Sequence, residues 1–131
     1  MNVGPVSQAQ VLLLKAAEDE TILVAAEVPD SIFGFHAQQA VEKLIKALLS
    51  QLNVPYERTH DLGRLNALLV ASGESLPTTP LTLSELNDFA VIYRYDLLVQ
   101  SICPDRIEVN ETVRLIHEHI LARIAALSAA P

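Results

Sequence analysis

The feature that most constrains the fold is the spacing of apolar residues, which recurs every three or four positions along nearly the whole chain. This period is typical of amphipathic helices, and no segment shows the alternation of a half-buried strand over a convincing length. Proline-rich or polar breaks divide the chain into five helical segments, near residues 6–26, 30–52, 62–71, 83–94 and 105–127. The sequence therefore predicts an all-α fold, an up-and-down bundle of four or five helices.

Chain length and helix-end signals refine this prediction. A chain of 131 residues is long enough to bury a core, so we expect a single helical domain over residues 1–131. Asp30 and Ser31 are suited to cap the second helix, and Asp61 is suited to cap the third. Glu85 lies in the opening turn of the fourth helix, where an acidic side chain stabilises the helix dipole. These signals predict where the helices begin.

Charge and composition disfavour several classes of function. The net charge of −7 argues against sequence-independent nucleic-acid binding, which needs a basic surface, although a local basic cluster can still exist. The single cysteine, Cys103, excludes a disulfide within the chain and a cysteine-rich metal site, and it fits a reducing cytosol. No apolar run approaches the roughly 18 residues of a membrane span, and the opening residues lack the basic stretch of a secretory signal. We therefore expect a soluble, cytoplasmic protein with no membrane association.

The segment FHAQQAVEKLIKALLSQL places polar residues within a helix that otherwise resembles core. A rotation of about 100° per residue brings one apolar stripe together, formed by Phe33, Ala37, Ala40, Val41, Leu44 and Leu48. The polar residues lie at the edge of this stripe or opposite it, and they are His36, Gln39, Lys43 and Lys46. A solvated helix face explains them. Alternatively, His36, Gln39 and Lys43 line a groove or subunit interface, which the aromatic Phe35 on the polar side favours.

Three sequence elements, in this order, carry a resemblance to a known family. They are FHAQQAVEKLIKALL followed by a proline-containing turn, Thr-His-Asp-Leu at 59–62 at the start of the next helix, and Arg-Tyr at 94–95 at the end of a later helix. In these elements the chain resembles the HEPN domain family. The resemblance implies a small all-α prokaryotic bundle that often dimerises and is frequently paired with a minimal nucleotidyltransferase. Many HEPN proteins are metal-independent endoribonucleases that act as toxins or in antiviral defence.

The chain departs from the family's ribonuclease motif, which is an arginine, four to six residues and then a histidine near the start of the last long helix. In the family the histidine is suited to act as a general base and the arginine to stabilise the charge on the phosphate. Here no histidine follows Arg94 within that distance. Arg114 and His119 have the spacing, but they lie inside the last helix and about 140° apart around it, as ordinary polar residues of an amphipathic helix would. His117 and His119, two residues apart, are a poor metal clamp.

Other candidates have a functional and a structural explanation. Arg94, Tyr95 and Asp96 at the end of the fourth helix could bind phosphate or a partner, although the helix dipole also explains an arginine there. His60 beside Asp61 could be a base oriented by a carboxylate, although a capping sequence explains both residues. The acidic run at 18–20 is typical of a solvated face, and paired carboxylates could also bind a cation.

Three functions remain open. The first is a dimeric module that binds nucleotide or RNA, or another partner, and acts with a nucleotidyltransferase in a toxin–antitoxin or defence role. The second is a divergent ribonuclease in which Arg94 cooperates with His36 or His60, and the third is a structural scaffold. We favour the first, with no cofactor and no metal. The residues expected to form one groove, or to lie beside it, are His36, Gln39, Lys43, Arg94, Tyr95 and Asp96. The weaker candidates are Lys46, His60, Arg114 and His119.

Overall fold

The protein is represented by a computed structural model that describes residues 7–25, 27–95 and 105–129, and within 90–95 it describes the backbone alone. The helices are α1 Gln8–Leu23, α2 Asp30–Gln51, α3 Leu62–Ala71, α4 Leu83–Tyr95 and α5 Arg106–Ala129. In these described residues the regular secondary structure is entirely helical. The prediction of an all-α helical fold is therefore confirmed.

Polar side chains fix the start of several helices. Ser7 and Gln10 form a capping box at the start of α1, each side chain accepting from the backbone N–H of the other. Asp61 accepts from two backbone N–H groups in the first turn of α3, so the predicted cap is confirmed. Thr82 and Glu85 exchange the same kind of bonds at the start of α4, at 3.1 Å each. These contacts satisfy N–H groups that have no partner within the helix.

Helix α2 begins at residue 30 as predicted, but the predicted cap is wrong. Its N-cap is Pro29, and no side chain among the described residues caps it, so the expectation that Asp30 or Ser31 would do so is wrong. Asp30 is the first helical residue, where its charge stabilises the helix dipole, and its carboxylate accepts from Arg106 Nη2 at 2.6 Å. The same contact connects the starts of α2 and α5. Asp105, expected to begin α5, instead caps it by accepting from the N–H of Ile107 at 2.8 Å.

Helix α2 lies at the centre of the fold and packs against each of the other four helices. More than half of its residues are buried, so α2 lacks the single broad solvent face of an ordinary surface helix. A Cβ on Gly34 would lie 2.9 Å from Phe89 Cβ, so the glycine permits the close approach of α2 and α4. The predicted core stripe is confirmed as buried: Phe33, Ala37, Ala40, Val41, Leu44 and Leu48.

Candidate functional site

Two buried carboxylates organise the polar residues of α2. Asp19 on α1 has a side chain that is 7% exposed, and Glu42 on α2 has one that is 4% exposed. Each is bound by one histidine and one lysine. We call Asp19, His36 and Lys43 the Asp19 cluster. The Glu42 cluster consists of Glu42, Lys46, His60, Gln38 and Gln39.

The Asp19 cluster joins α1 to α2. His36 Nδ1 lies 2.7 Å from Asp19 Oδ1, and Lys43 Nζ donates to Asp19 Oδ2 at 2.6 Å. His36 and Lys43 are seven residues apart, two turns of α2, and therefore lie on one face of it. Ala16, one turn before Asp19, is buried in the core, so the same side of α1 faces inward. The ammonium of Lys43 and the imidazole of His36 can replace the water that a buried carboxylate loses.

The three acidic side chains at 18–20 differ in their exposure and in their partners. Glu18 is exposed and pairs with Lys15, whereas Glu20 Oε2 lies 2.7 Å from His117 Nδ1 on α5. Only Glu18 has the solvated environment predicted for the run. The prediction is wrong for Asp19, which is buried and finds its partners in His36 and Lys43 on α2. The three carboxylates therefore do not share a cation site.

The Glu42 cluster connects α2 to the turn before α3. Glu42 Oε1 lies 2.9 Å from His60 Nδ1, and Glu42 Oε2 accepts from Lys46 Nζ at 3.0 Å. The fully buried Gln38 donates to the carbonyl of His60 at 2.7 Å and to Glu42 Oε1 at 3.2 Å. Gln39 donates to Gln38 Oε1 at 2.7 Å. The turn is thus held through both the backbone and the side chain of His60.

Both histidines are oriented for binding or proton transfer. In each cluster Nδ1 faces a carboxylate, an arrangement that favours a proton on Nδ1 and directs Nε2 to the other side of the ring. His36 has a side chain that is 28% exposed, and His60 one that is 64% exposed. Lys43, 26% exposed, also reaches the surface beside His36. The Asp19 cluster therefore presents an imidazole and an ammonium side by side at a helix seam.

The structure divides the predicted groove residues between the two clusters. His36 and Lys43 meet on Asp19, whereas Gln39 belongs with Lys46 and His60 around Glu42. The remaining predicted residues were Arg94, Tyr95 and Asp96. Their side chains, and all of Asp96, lie outside the described residues. The shared groove with Arg94 stays a prediction.

Arg114 and His119 lie in different surroundings on α5. Arg114 is exposed and donates to Glu111 and Glu118, and the hydrogen bond with Glu111, then that with Glu118, raises the pKa of the guanidinium. His119 is half buried, and its Nε2 has no hydrogen-bond partner among the described residues. Arg114 pairs with two carboxylates of its own helix, Glu111 and Glu118, and not with His119.

A further ion pair connects α5 to the loop after α3. Arg123 Nε and Nη2 donate to the two carboxylate oxygens of Glu74 at 2.8 and 2.9 Å. This hydrogen-bonded guanidinium holds the pKa of the Glu74 carboxyl below its ordinary value, with His119 adding a smaller effect in the same direction. In the described contacts neither residue of this pair touches a member of either cluster, so the pair holds α5 against the loop after α3.

Sequence reasoning missed the residues at the centre of each cluster. Asp19 was assigned to a solvated run, and Glu42 and Gln38 were not candidates at all. One signal was present: Glu42 precedes Lys46 by four residues, a spacing that brings the two side chains together on a helix. For Asp19 the sequence held no comparable signal, since its partners follow 17 and 24 positions later.

The described ranges also bear on metal binding and on membrane insertion. Over 7–25, 27–95 and 105–129, three or more His, Cys, Asp or Glu side chains are nowhere grouped so that they could hold a metal ion. In the same part of the chain, no helix combines the length and the apolar character needed to cross a lipid bilayer.

The fold and the two clusters define a small all-α domain with a polar seam along its central helix. The sequence profile of the HEPN domain matches residues 24–122, which is well over half of the chain. The protein therefore belongs to the HEPN domain family. Helix α1, with Asp19, precedes the matched residues, whereas His36, Lys43 and the Glu42 cluster lie inside them. No curated protein and no solved structure matches the chain.

Proposed function

We propose that this HEPN protein is a binding module for a phosphate-bearing ligand, a nucleotide or RNA. The observation that carries the proposal is the convergence of His36 Nδ1 and Lys43 Nζ on one anionic group, the Asp19 carboxylate, at 2.7 and 2.6 Å. Donors that meet on a carboxylate are also suited to phosphate oxygens, which accept charge-assisted hydrogen bonds of the same length. Partial exposure of both side chains leaves them within reach of a ligand.

The charges favour a weak and local interaction. Asp19 offsets the charge of Lys43, so the cluster carries a net positive charge only when His36 is protonated. The whole chain carries −7, which repels a long polyanion. We therefore expect recognition of one or two phosphates, with an affinity that falls as salt concentration rises.

Binding of fluorescently labelled single-stranded RNA and labelled AMP, followed by anisotropy, tests the proposal. Lys43→Ala and His36→Ala should each weaken binding by roughly fivefold to tenfold, because each removes one charge-assisted hydrogen bond. Lys15→Ala is the matched control, since Lys15 is 58% exposed on α1 and pairs with Glu18 alone among the described residues. Equal losses in all three variants, or no binding by the wild type at millimolar protein, would contradict the proposal.

The proposal also covers the partners of the protein, and its support there is membership of the HEPN family. We propose a homodimer that acts beside a minimal nucleotidyltransferase in a toxin–antitoxin or defence system. Light scattering on the purified chain should give twice the mass of 14.3 kDa. A monomer mass at the highest soluble concentration would contradict the dimer. Failure to co-purify with a nucleotidyltransferase encoded beside it would contradict the partnership.

A second candidate function is metal-independent RNA cleavage, which the His60–Glu42 contact favours. A carboxylate on Nδ1 orients the imidazole as a general base at Nε2, and this ring is mostly exposed. Cleavage of labelled RNA in the presence of chelator should then be lost in His60→Ala. It should persist in His117→Ala, the control, because His117 also has a carboxylate on Nδ1 but lies on α5. No cleavage by the wild type, or equal cleavage by both variants, would exclude this candidate.

A further inference from the structure

We infer that the Asp19 carboxylate occupies the place of the anionic ligand, so that α1 inhibits its own protein's anion-binding site. This inference rests on the function proposed above for His36 and Lys43 and adds how that site is regulated. The ligand is then an anion of the size of a carboxylate or a phosphate, and it must displace the Asp19 carboxylate before it binds.

The geometry makes the two anions mutually exclusive. Asp19 Oδ1 contacts His36 Nδ1 at 2.7 Å, and Asp19 Oδ2 contacts Lys43 Nζ at 2.6 Å, so one carboxylate engages both groups. Its side chain is 7% exposed, which leaves little room for a second anion between the same donors. Two like charges at that separation repel strongly away from bulk water. A ligand phosphate therefore binds only when the carboxylate turns away.

The attachment of α1 makes such a displacement feasible. Its buried side chains are Ala9, Ala16, Asp19 and Leu23, so two of the three apolar ones are alanines with little area to bury. The large apolar Leu14 is 65% exposed on the outer side of the helix. The attachment combines apolar contacts, which include the partly buried Leu13 against the core, with polar contacts of Asp19 and the Glu20 contact to His117. Removing the Asp19 contact loosens α1 without removing a large hydrophobic surface.

The other cluster lacks the features of such a device. Glu42 and Lys46 lie four residues apart on one helix, and the buried Gln38 also donates to this carboxylate. No movement of one helix against another can separate Glu42 from Lys46. The Asp19 carboxylate, in contrast, comes from a helix that precedes the residues matched by the family profile, and its partners lie inside them.

Comparison of Asp19→Asn with Glu18→Gln tests the inference. Both substitutions remove one negative charge from neighbouring positions of α1, but Glu18 is 65% exposed and contacts neither His36 nor Lys43 among the described contacts. We would measure binding of labelled single-stranded RNA by anisotropy, with inorganic phosphate as competitor. Asp19→Asn should bind at least about tenfold more tightly than the wild type, and phosphate should compete at lower concentration, whereas Glu18→Gln should change binding less than about twofold.

The outcomes separate this inference from the function on which it rests. If the wild type binds and Asp19→Asn binds no more tightly, the inference is overturned and the proposed binding site stands. An equal gain in both variants also overturns it, because a general charge effect then explains the result. If neither the wild type nor Asp19→Asn binds, the proposed function itself fails. Lys43→Met added to Asp19→Asn should abolish the gain, which locates it at the cluster.

A measurement on the wild type covers the case in which Asp19→Asn does not fold. Hydrogen exchange of residues 8–23 should become faster when saturating RNA is added, while exchange in α3 stays unchanged. Slower or unchanged exchange in α1 with ligand bound would overturn the inference, because the carboxylate would then remain in place.

Discussion

The Asp19 cluster and the Glu42 cluster contain the same three groups, a carboxylate, an imidazole and an ammonium, but they connect different parts of the chain. Asp19 reaches across from α1 to side chains 17 and 24 positions away. Glu42 binds a lysine four residues along its own helix and a histidine in the turn that follows. The first cluster holds one helix against another, and the second fixes a connection next to the helix that carries it.

The two clusters also differ in the number of hydrogen bonds that must break before the carboxylate can leave its partners. Around Glu42, the amides of Gln38 and Gln39 add hydrogen bonds to the carboxylate and to the turn. Around Asp19, the described residues provide two such contacts, from His36 and Lys43. Since a polar network is stabilised when each member has several partners, Glu42 should be difficult to displace and Asp19 comparatively easy. Stability measurements can sharpen or break this comparison.

The largest effect is expected for Glu42→Gln. The substitution leaves Lys46, 15% exposed, without its carboxylate, and an uncompensated buried charge costs about 3–5 kcal/mol of unfolding free energy. Urea denaturation measures the loss. Glu57→Gln is the control, because Glu57 is 63% exposed and its pair with Arg64 should matter by less than about 1 kcal/mol. Similar losses in both variants would show that Glu42 has no special role.

Asp19→Asn should have the next largest effect on stability. It removes the charge from hydrogen bonds to His36 and Lys43, and bonds to charged groups contribute about 1.5–3 kcal/mol. Both partners reach solvent, so we expect a loss near the lower end of that range, about 2 kcal/mol. Urea denaturation beside Glu18→Gln checks this. A loss greater than that of Glu42→Gln would reverse the comparison between the clusters.

Removal of the two histidines should produce smaller and unequal losses. His36→Ala should cost about 1.5 kcal/mol, because its ring is largely buried at the helix seam. His60→Ala should cost less, about 0.5–1 kcal/mol, since its ring is mostly exposed and Gln38 still holds the backbone carbonyl. Chemical denaturation of both variants in one buffer gives the difference directly. Equal losses would mean that exposure does not distinguish the two histidines.

The smallest effect concerns a carboxylate outside both clusters and depends on pH. Because Arg123 lowers the pKa of Glu74 in the folded protein, the pair stabilises the fold above the ordinary pKa of a glutamate, and this contribution disappears as pH falls through the lowered value. The stability difference between the wild type and Glu74→Gln should therefore shrink between about pH 5 and pH 3. Thermal unfolding across that range tests the sign. A difference that grows on acidification would contradict it.

Local signals in the sequence predicted most of the fold. The apolar stripe of α2 and the Asp61 cap follow from helix geometry and from hydrogen bonding within a few residues, and both are present. The start of α2 at residue 30 was predicted, but the cap was not, because Asp30, a good cap by type, is the first helical residue and pairs with Arg106, 76 positions away. Such long-range pairing has no local signature.

The sequence predicts the hydrogen-bond donors of the candidate site, but it does not predict the carboxylate that accepts from them. His36 and Lys43 stand out as polar residues on a core helix, so periodicity alone makes them candidates. Asp19 belongs to a run of acidic residues whose other members are more exposed, and nothing in the run distinguishes it. Only the packing of α1 on α2 shows which carboxylate faces inward.

The most direct test of the account is an NMR titration of the wild-type protein with AMP, followed through the ring signals of its histidines. The chain has four histidines, so each signal can be assigned by single substitution. We predict that the ring signals of His36 shift in a saturable way while those of His60 stay in place, because the ligand phosphate replaces Asp19 at the Asp19 cluster. Shifts confined to His60, or no saturable shift at any histidine, would contradict this account.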